Sequence, residues 1–392
     1  MLKIAVVTPM LPIPQDRTRG RYIHETARSL SRLAQVRVFF QQPRYLAIPG
    51  LTPRNFLTGT AGADYAADGI DVETFTYPAV VGLSRATNGY VASRALTPRV
   101  RAFAPDVVVG YWIYPDGYAA WRCAQRLGVP CVVGALGSDI HVRAGINAAF
   151  TRRTLERIDA LVTVSEAMRR TAIADFGAPP ERVHTVVNGF NTGVFHPRDR
   201  REVRQRLGID ADARVIVYVG RLVESKGLRE LLAAFAVLSG ADPSLRLALV
   251  GEGVMRDELE RMVQSQPVLQ GRVLMPGGME PAQVAEWISA SDLLTLPSWS
   301  EGYPNVVVEA LACGVPVVAT DVGGTREIID DRNGLLIPPR DERLLAQALE
   351  QALARTWDGA AIAAAMRRTW DDVARETLDV CERAVAARRG AG

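Results

Sequence analysis

Two carboxylates, Glu301 and Glu309, stand eight residues apart in the stretch SWSEGYPNVVVEALA. The apolar run DLLTLPS precedes it and VPVVAT follows, and both read as buried strands. The segment is therefore strand, turn, helix, strand. Pro304 suits the first helical turn, where its missing N–H costs nothing, and Gly314 suits the helix exit. Glu301 then lies in the loop at the carboxyl end of a parallel strand, where open α/β sheets place ligands. Glu309 falls on a helix face that looks back at the same crevice. The N–H groups of Tyr303 and Asn305 add a place for negative charge. Alone, the pair fits equally a capping acid and a surface acid, so its company decides.

That company includes GRLVESKG, which ends a second apolar strand. Arg221 and Lys226 flank its turn into a helix, and Gly227 permits close approach to the helix mouth. Two cations at a helix N-terminus make a diphosphate site; an exposed turn with solvated charges is the plainer alternative. Lys226 is one of only two lysines in a chain that otherwise writes arginine. Gly20 opens a helix near the start of the chain, again as a phosphate approach or a simple turn residue. No G-x-x-x-x-G-K-[ST] and no G-x-G-x-x-G is present, which argues against a P-loop enzyme and a dinucleotide dehydrogenase. Asp210 and Asp212 precede a strand and read as a solvated turn. Four scattered histidines and four cysteines without C-x-x-C spacing give no metal site and no disulfide framework.

The elements that must hold these residues follow one rhythm. LKIAVVTP, QVRVFFQ, IDVETFTYP, PDVVVGYW, VPCVVGAL, DALVTVS and RVHTVVN read as strands, separated by stretches of helical spacing, one of them broken at Pro98. NGFNTGVFHPRDR is a Gly/Asn/Pro-rich connection. The alternation then restarts with ARVIVYVG, LRLALVG, RVLMPG, DLLTLPS, VPVVAT and GLLIP, with a helix expected to begin at GTREII. Strand–helix alternation of this kind builds parallel, doubly wound sheets. It divides the chain into residues 1–187, residues 188–369 and a last helical stretch, 370–392, that returns to the first domain.

At 392 residues the chain suits two domains. The net charge of +3 hides an asymmetry: residues 1–185 carry 22 Lys+Arg against 14 Asp+Glu, the rest 24 against 29. A basic first half suits an anionic acceptor or lipid surface, or simply a solvated arginine-rich face. No run is long and apolar enough to span a membrane, and KIAVV is a strand and not a secretory core, so a cytoplasmic protein is expected, in reach of the inner membrane face.

GRLVESKG, LPSWSEGYPNVVVEALACGVPVVATDVGGTREII, GSDIH and VVNGFNTGVFHP together resemble the retaining nucleotide-sugar glycosyltransferases of family 4, over nearly the whole chain. YPDGYAA and GSDI are similar to bacterial enzymes that build cell-surface polysaccharides on lipid carriers. The resemblance implies two facing Rossmann-like domains of the GT-B type with the active site in the cleft between them. It implies an acceptor-binding first domain, a donor-binding second domain, a UDP- or GDP-sugar co-substrate, a glycan or polyprenyl-linked acceptor, and no metal or other cofactor. Arg221 and Lys226 would grip the donor diphosphate. Glu309 would take the ribose hydroxyls and Glu301 those of the transferred sugar. Gly302, Tyr303, Pro304 and Asn305 would frame the sugar and phosphate, Gly278 and Met279 would lie near the base, and Gly20 would approach the diphosphate. Asp139 would face the sugar or acceptor. The family often writes His-Gly-Ser-Asp where this chain has Leu136-Gly137-Ser138-Asp139, so a histidine contact is replaced by an apolar wall. A nucleotide-sugar epimerase, a glycoside phosphorylase and a non-catalytic sugar-nucleotide-binding module are the alternatives on this fold.

Overall fold

The computed structural model describes residues 1–14, 16, 19–46, 65–80, 84–137, 139–140 and 145–390. Ser138 and His141 lie outside the described residues, as do parts of the loops after the first and second strands. The chain forms two compact units, Met1–Asn188 with Trp370–Gly392, and Gly189–Thr369.

The first unit runs β1 (Lys3–Thr8), α1 (Arg21–Leu30), β2 (Gln35–Tyr45), β3 (Val72–Ala79), α2 (Ser84–Phe103), β4 (Val107–Tyr111), α3 (Tyr118–Leu127), β5 (Cys131–Ala135), α4 (Gly145–Leu155), β6 (Ala160–Thr163), α5 (Glu166–Phe176) and β7 (Val183–Thr185). Its sheet is parallel, in the order β3-β2-β1-β4-β5-β6-β7. Central strands such as Val107–Tyr111 and Cys131–Ala135 are buried along their whole length, because helices cover both faces. β2 runs further than its apolar pattern suggested. Its pairing with β1 ends at Thr8 opposite Phe40, yet β3 carries it on to Tyr45.

α2 corrects an expectation: the helix continues through Pro98. Proline removes a donor and normally breaks a helix interior. Here Ala92, Leu96, Val100 and Phe103 are buried, and that apolar stripe holds the helix against its sheet. Arginines also serve carbonyls near the interruption: Arg126 donates to the Ser93 carbonyl at 3.2 Å and Arg99 to that of Ala95 at 2.6 Å.

The second unit runs α6 (Arg200–Leu207), β8 (Arg214–Val219), α7 (Leu228–Ala241), β9 (Leu245–Val250), α8 (Arg256–Ser265), β10 (Val273–Gly277), α9 (Pro281–Ala290), β11 (Leu293–Leu296), α10 (Asn305–Ala312), β12 (Val317–Thr320), β13 (Gly334–Ile337), α11 (Glu342–Ala354) and α12 (Gly359–Ala365). Its parallel sheet has the order β10-β9-β8-β11-β12-β13, so chain order reverses between β8 and β11. Ligands of open α/β sheets bind outside the strand ends at such a reversal. GTREII is a single 3₁₀ turn, Gly323–Glu327, and not the start of an α-helix. α13 (Trp370–Gly390) leaves this unit and packs on the first one, burying Ala374, Val380, Cys381 and Ala384 in a core shared with Tyr111, Val132 and Ala160.

Candidate functional site

The expected residues of the second unit gather at the carboxyl ends of β8 and β11, which are hydrogen-bonded neighbours. After β8 the chain makes a 3₁₀ turn, Glu224–Lys226, and enters α7 through Gly227. Gly227 has φ 66°, and a Cβ there would sit 2.1 Å from the Pro297 carbonyl oxygen. Only glycine allows the β8 loop to press so closely on the loop after β11. The two loops are also tied by hydrogen bonds. The Trp299 N–H donates to the Ser225 carbonyl at 2.8 Å, and its indole donates to Glu230 at 3.0 Å. The Arg340 guanidinium lies 4.3 Å over the same indole ring.

The central contact is ionic. Lys226 Nζ donates to Glu301 Oε1 at 2.5 Å, and both side chains are largely shielded from water. The attraction within such a shielded pair is less screened than at the surface, and removing one member strands the other charge. The ammonium has three donors and this bond uses one. Beneath the pair Tyr218 is fully buried, and its hydroxyl donates to the Arg221 carbonyl at 2.8 Å. Burial, and then the nearby Glu301 carboxylate, push the Tyr218 phenol far above its usual range. Tyr218 therefore stays a neutral prop that fixes the backbone of Arg221, whose own side chain is exposed.

Pro304 stands just before the first residue of α10, and Glu309 is half-buried one turn further on. The Gly324 N–H donates to the Gly302 carbonyl at 3.0 Å, which fastens the Glu301 turn to the 3₁₀ turn after β12. Tyr303 is half-buried, and its phenol is pushed up to about 12 by burial. The Ser298 and Thr295 hydroxyls are buried at this strand end and have no hydrogen-bond partner among the described residues.

Gly278 and Met279 lie at the edge strand β10, where the Gly278 N–H donates to Glu252 at 3.3 Å. Glu252 was missed in the sequence reading, although Gly251-Glu252-Gly253 directly follows the buried strand LRLALV. Its backbone carbonyl accepts from Leu222 at 2.8 Å and so joins the β8 and β9 loops.

In the first unit Gly20 is in the left-handed region at φ 62°, and a Cβ would meet the Met10 carbonyl oxygen at 2.4 Å. Its shape thus serves the local fold as well as the open mouth of α1. Asp139 departs from expectation: it is buried, with its carboxylate turned onto backbone and not outward. Oδ1 accepts from the N–H groups of Leu136 and Gly137, both at 3.0 Å, and Oδ2 from that of Ile113 at 3.1 Å. Burial raises its carboxyl while these three donors hold it down, with a net rise. A short acid just past a strand end turns inward when backbone donors are left over there. Leu136 packs against the core of this unit.

The arrangement in the second unit offers a helix N-terminus, an ordered ammonium, a guanidinium and two carboxylates, Glu301 on the loop after β11 and Glu309 in α10. The first three can hold an anion, and the acids can accept from hydroxyls. Among the described residues no cluster of three or more His, Cys, Asp or Glu is placed to hold a metal.

Comparison with known proteins agrees with this chemistry. Residues 199–375 match the family model of glycosyl transferases group 1, and residues 19–189 the glycosyl transferase 4-like domain. A putative teichuronic acid biosynthesis glycosyltransferase, TuaC, of Bacillus subtilis is 29% identical over 89% of this chain and 88% of its own. A D-inositol 3-phosphate glycosyltransferase of Acidothermus cellulolyticus is 30% identical over 99% of this chain and 91% of its own. Among solved structures, the Anabaena HepE protein in complex with UDP superposes with a TM-score of 0.75 at 18% identity, over 98% of this chain and all of that one. The chain belongs to the family 4-like glycosyltransferases of the GT-B fold.

Proposed function

We propose that this glycosyltransferase is a retaining, metal-independent enzyme that moves a sugar from a UDP- or GDP-sugar to a lipid-linked or polysaccharide acceptor in cell-surface glycan assembly. The observation that carries this reading is the Lys226–Glu301 pair at the mouth of α7, with Arg221 on the loop after β8 and Glu309 in the first turns of α10. Lys226 and Arg221 bind the donor diphosphate and stabilise charge on the leaving group. Glu309 accepts from the ribose and Glu301 from the transferred sugar. Gly302, Tyr303, Pro304 and Asn305 frame the sugar and phosphate, and Gly278 and Met279 border the base. The bond from the anomeric carbon to the phosphate oxygen breaks as the acceptor oxygen bonds to that carbon on the same face. The departing phosphate oxygen takes the acceptor proton, so no protein nucleophile is needed.

The HepE complex supports the donor class, since that protein holds UDP. TuaC supports the acceptor class, since its name places it in teichuronic acid biosynthesis. The first unit binds the acceptor, and Gly20 and the Asp139-braced turn shape that half. Exposed Arg152, Arg153, Arg157 and Arg170 give it a weak, salt-sensitive hold on anionic membrane at the cytoplasmic face. Arg169 contributes little there, because it is paired with Glu166 at 3.1 Å.

Thermal unfolding with a panel of UDP-, GDP- and ADP-sugars tests the donor, because a ligand of the native state raises the melting temperature. A shift with one base, followed by transfer without added metal and with retained anomeric configuration, is expected. No shift with any nucleotide would refute the reading.

A further inference from the structure

A second polar site lies wholly within the first unit, at the end of its sheet where β2 outruns β1. Gln41 is the first residue of β2 past the last pair with β1, and it is completely buried. Its amide Nε2 donates to Asp116 Oδ1 at 2.6 Å, while its Oε1 has no partner among the described residues. Asp116 follows β4 in the tight turn Ile113–Gly117 and is 4% exposed. Two more buried oxygens nearby lack partners among the described residues, Asn88 Oδ1 and the Tyr114 hydroxyl, in residues 7% and 8% exposed.

These groups come from separate elements but one neighbourhood. Gly89, next to Asn88 on α2, abuts that turn so closely that a Cβ would lie 2.8 Å from the Tyr118 ring, 3.0 Å from the Pro115 carbonyl and 3.3 Å from the Tyr114 ring. Tyr114 stacks on Phe150 of α4 with centroids 4.8 Å apart, and Tyr118 meets both rings edge-on. Asn147 stands one turn before Phe150, and its Oδ1 too is buried without a partner among the described residues. The Tyr114 and Tyr77 phenols both feel Asp116.

Buried amide oxygens without donors are costly, and a native fold retains them where something supplies the hydrogen. Gln41, Asn88 and Asn147 present oxygens that only accept, and Tyr114 can accept or donate. The matching ligand brings several O–H donors on a compact ring, with C–H surface for the aromatic wall. It need bring no positive charge: burial raises the Asp116 carboxyl to about 7, which leaves about half of it protonated at neutral pH, and the Gln41 amide already donates to it. Resting on the reading of the first unit as the acceptor half, we propose that Gln41, Asn88, Tyr114 and Asn147 form a hydroxyl-binding pocket that holds a saccharide or cyclitol ring of the acceptor and sets its specificity.

The test uses the full chain, with methyl α-glucoside, N-acetylglucosamine and myo-inositol as probes in saturation-transfer NMR. Tyr114→Phe and Asn88→Leu each remove an orphan oxygen at nearly constant volume. At least one probe should contact the wild type, and its affinity should fall about tenfold or more in each variant, while melting temperature holds or rises. If Asn88→Leu fails to fold, Tyr114→Phe alone decides. No contact with any probe, or contact undiminished in the variants, overturns the pocket and leaves buried water as the partner of these oxygens. Nucleotide binding, measured on the same samples by calorimetry, separates the two readings. A wild type that binds a probe but no nucleotide overturns the donor assignment and not the pocket.

Discussion

Lys226 and Glu301 are 75 residues apart in the chain, and their side chains meet at 2.5 Å where two neighbouring strands end. The pair orders both groups before any ligand arrives, and the ammonium keeps two donors for one. Lys226→Ala should therefore act twice. It should weaken nucleoside diphosphate binding about tenfold or more, as loss of a charged hydrogen bond does, and lower stability by roughly 2 kcal/mol by stranding Glu301. Calorimetry and thermal unfolding check both; an unchanged diphosphate affinity would remove Lys226 from the site.

The two carboxylates should separate by substrate part. Glu301→Gln frees the ammonium, so nucleotide affinity should hold or rise while turnover with the full donor falls. Glu309→Gln should weaken the free nucleotide through its ribose. The assignment fails if calorimetry finds both variants defective only toward nucleotide.

Arg221 has an exposed side chain on a backbone propped by Tyr218. Arg221→Ala should weaken diphosphate binding about tenfold and leave the bare nucleoside unaffected. An equal loss for uridine or guanosine and for its diphosphate would mean that the loop had collapsed instead.

Asp139→Asn should cost turnover at least about tenfold, ~1.4 kcal/mol of barrier, and should also lower the melting temperature. Asparagine offers one acceptor oxygen where three backbone N–H groups now converge, and its amide hydrogens oppose one of them. Leu136→His should not raise turnover, since Leu136 belongs to the core packing. Full activity and unchanged melting in Asp139→Asn would contradict the bracing geometry.

Asp116 should give the chain a pH signature. Its carboxyl is raised from 3.8 to about 7, first by burial. Below pH 3.8 it is protonated in both folded and unfolded chains and contributes nothing. As pH rises from there to 7 the unfolded chain ionises first, so stability falls, by up to roughly 4 kcal/mol, and then levels off. Asp116→Asn should flatten that slope in denaturant titrations between pH 4.5 and 7.5. An unaltered slope would show that Asp116 ionises normally.

Much of this architecture was legible because parallel strands buried on both faces read as unbroken apolar runs, as Val107–Tyr111 and Leu293–Leu296 do. The turns that carry Lys226 and Glu301 were legible too, from Gly227 and Gly302 beside strand ends. What escaped was decided by tertiary packing. Pro98 is a breaker by local rules, yet a buried stripe overrides it. Gly323–Glu327 spells a helix start but hydrogen-bonds to the Gly302 turn instead of propagating. Asp139 looks like a site acid until its three backbone donors are counted. Gln41 lies within β2 and Asp116 in the turn after β4, 75 positions apart, so no local pattern could pair them.

The return of α13 sets an order of events during synthesis. Its buried residues fill the core beneath Tyr111, Val132 and Ala160, all made more than 200 residues earlier. The first unit must wait at the ribosome with an apolar groove uncovered while the whole second unit emerges and is free to fold. Phe190 and Thr369, where the chain crosses out and back, then pair as a β-bridge, so the late helix is launched from a fixed point. A nascent chain stalled before Trp370 would carry a finished second unit and an unfinished first one, a natural target for chaperones.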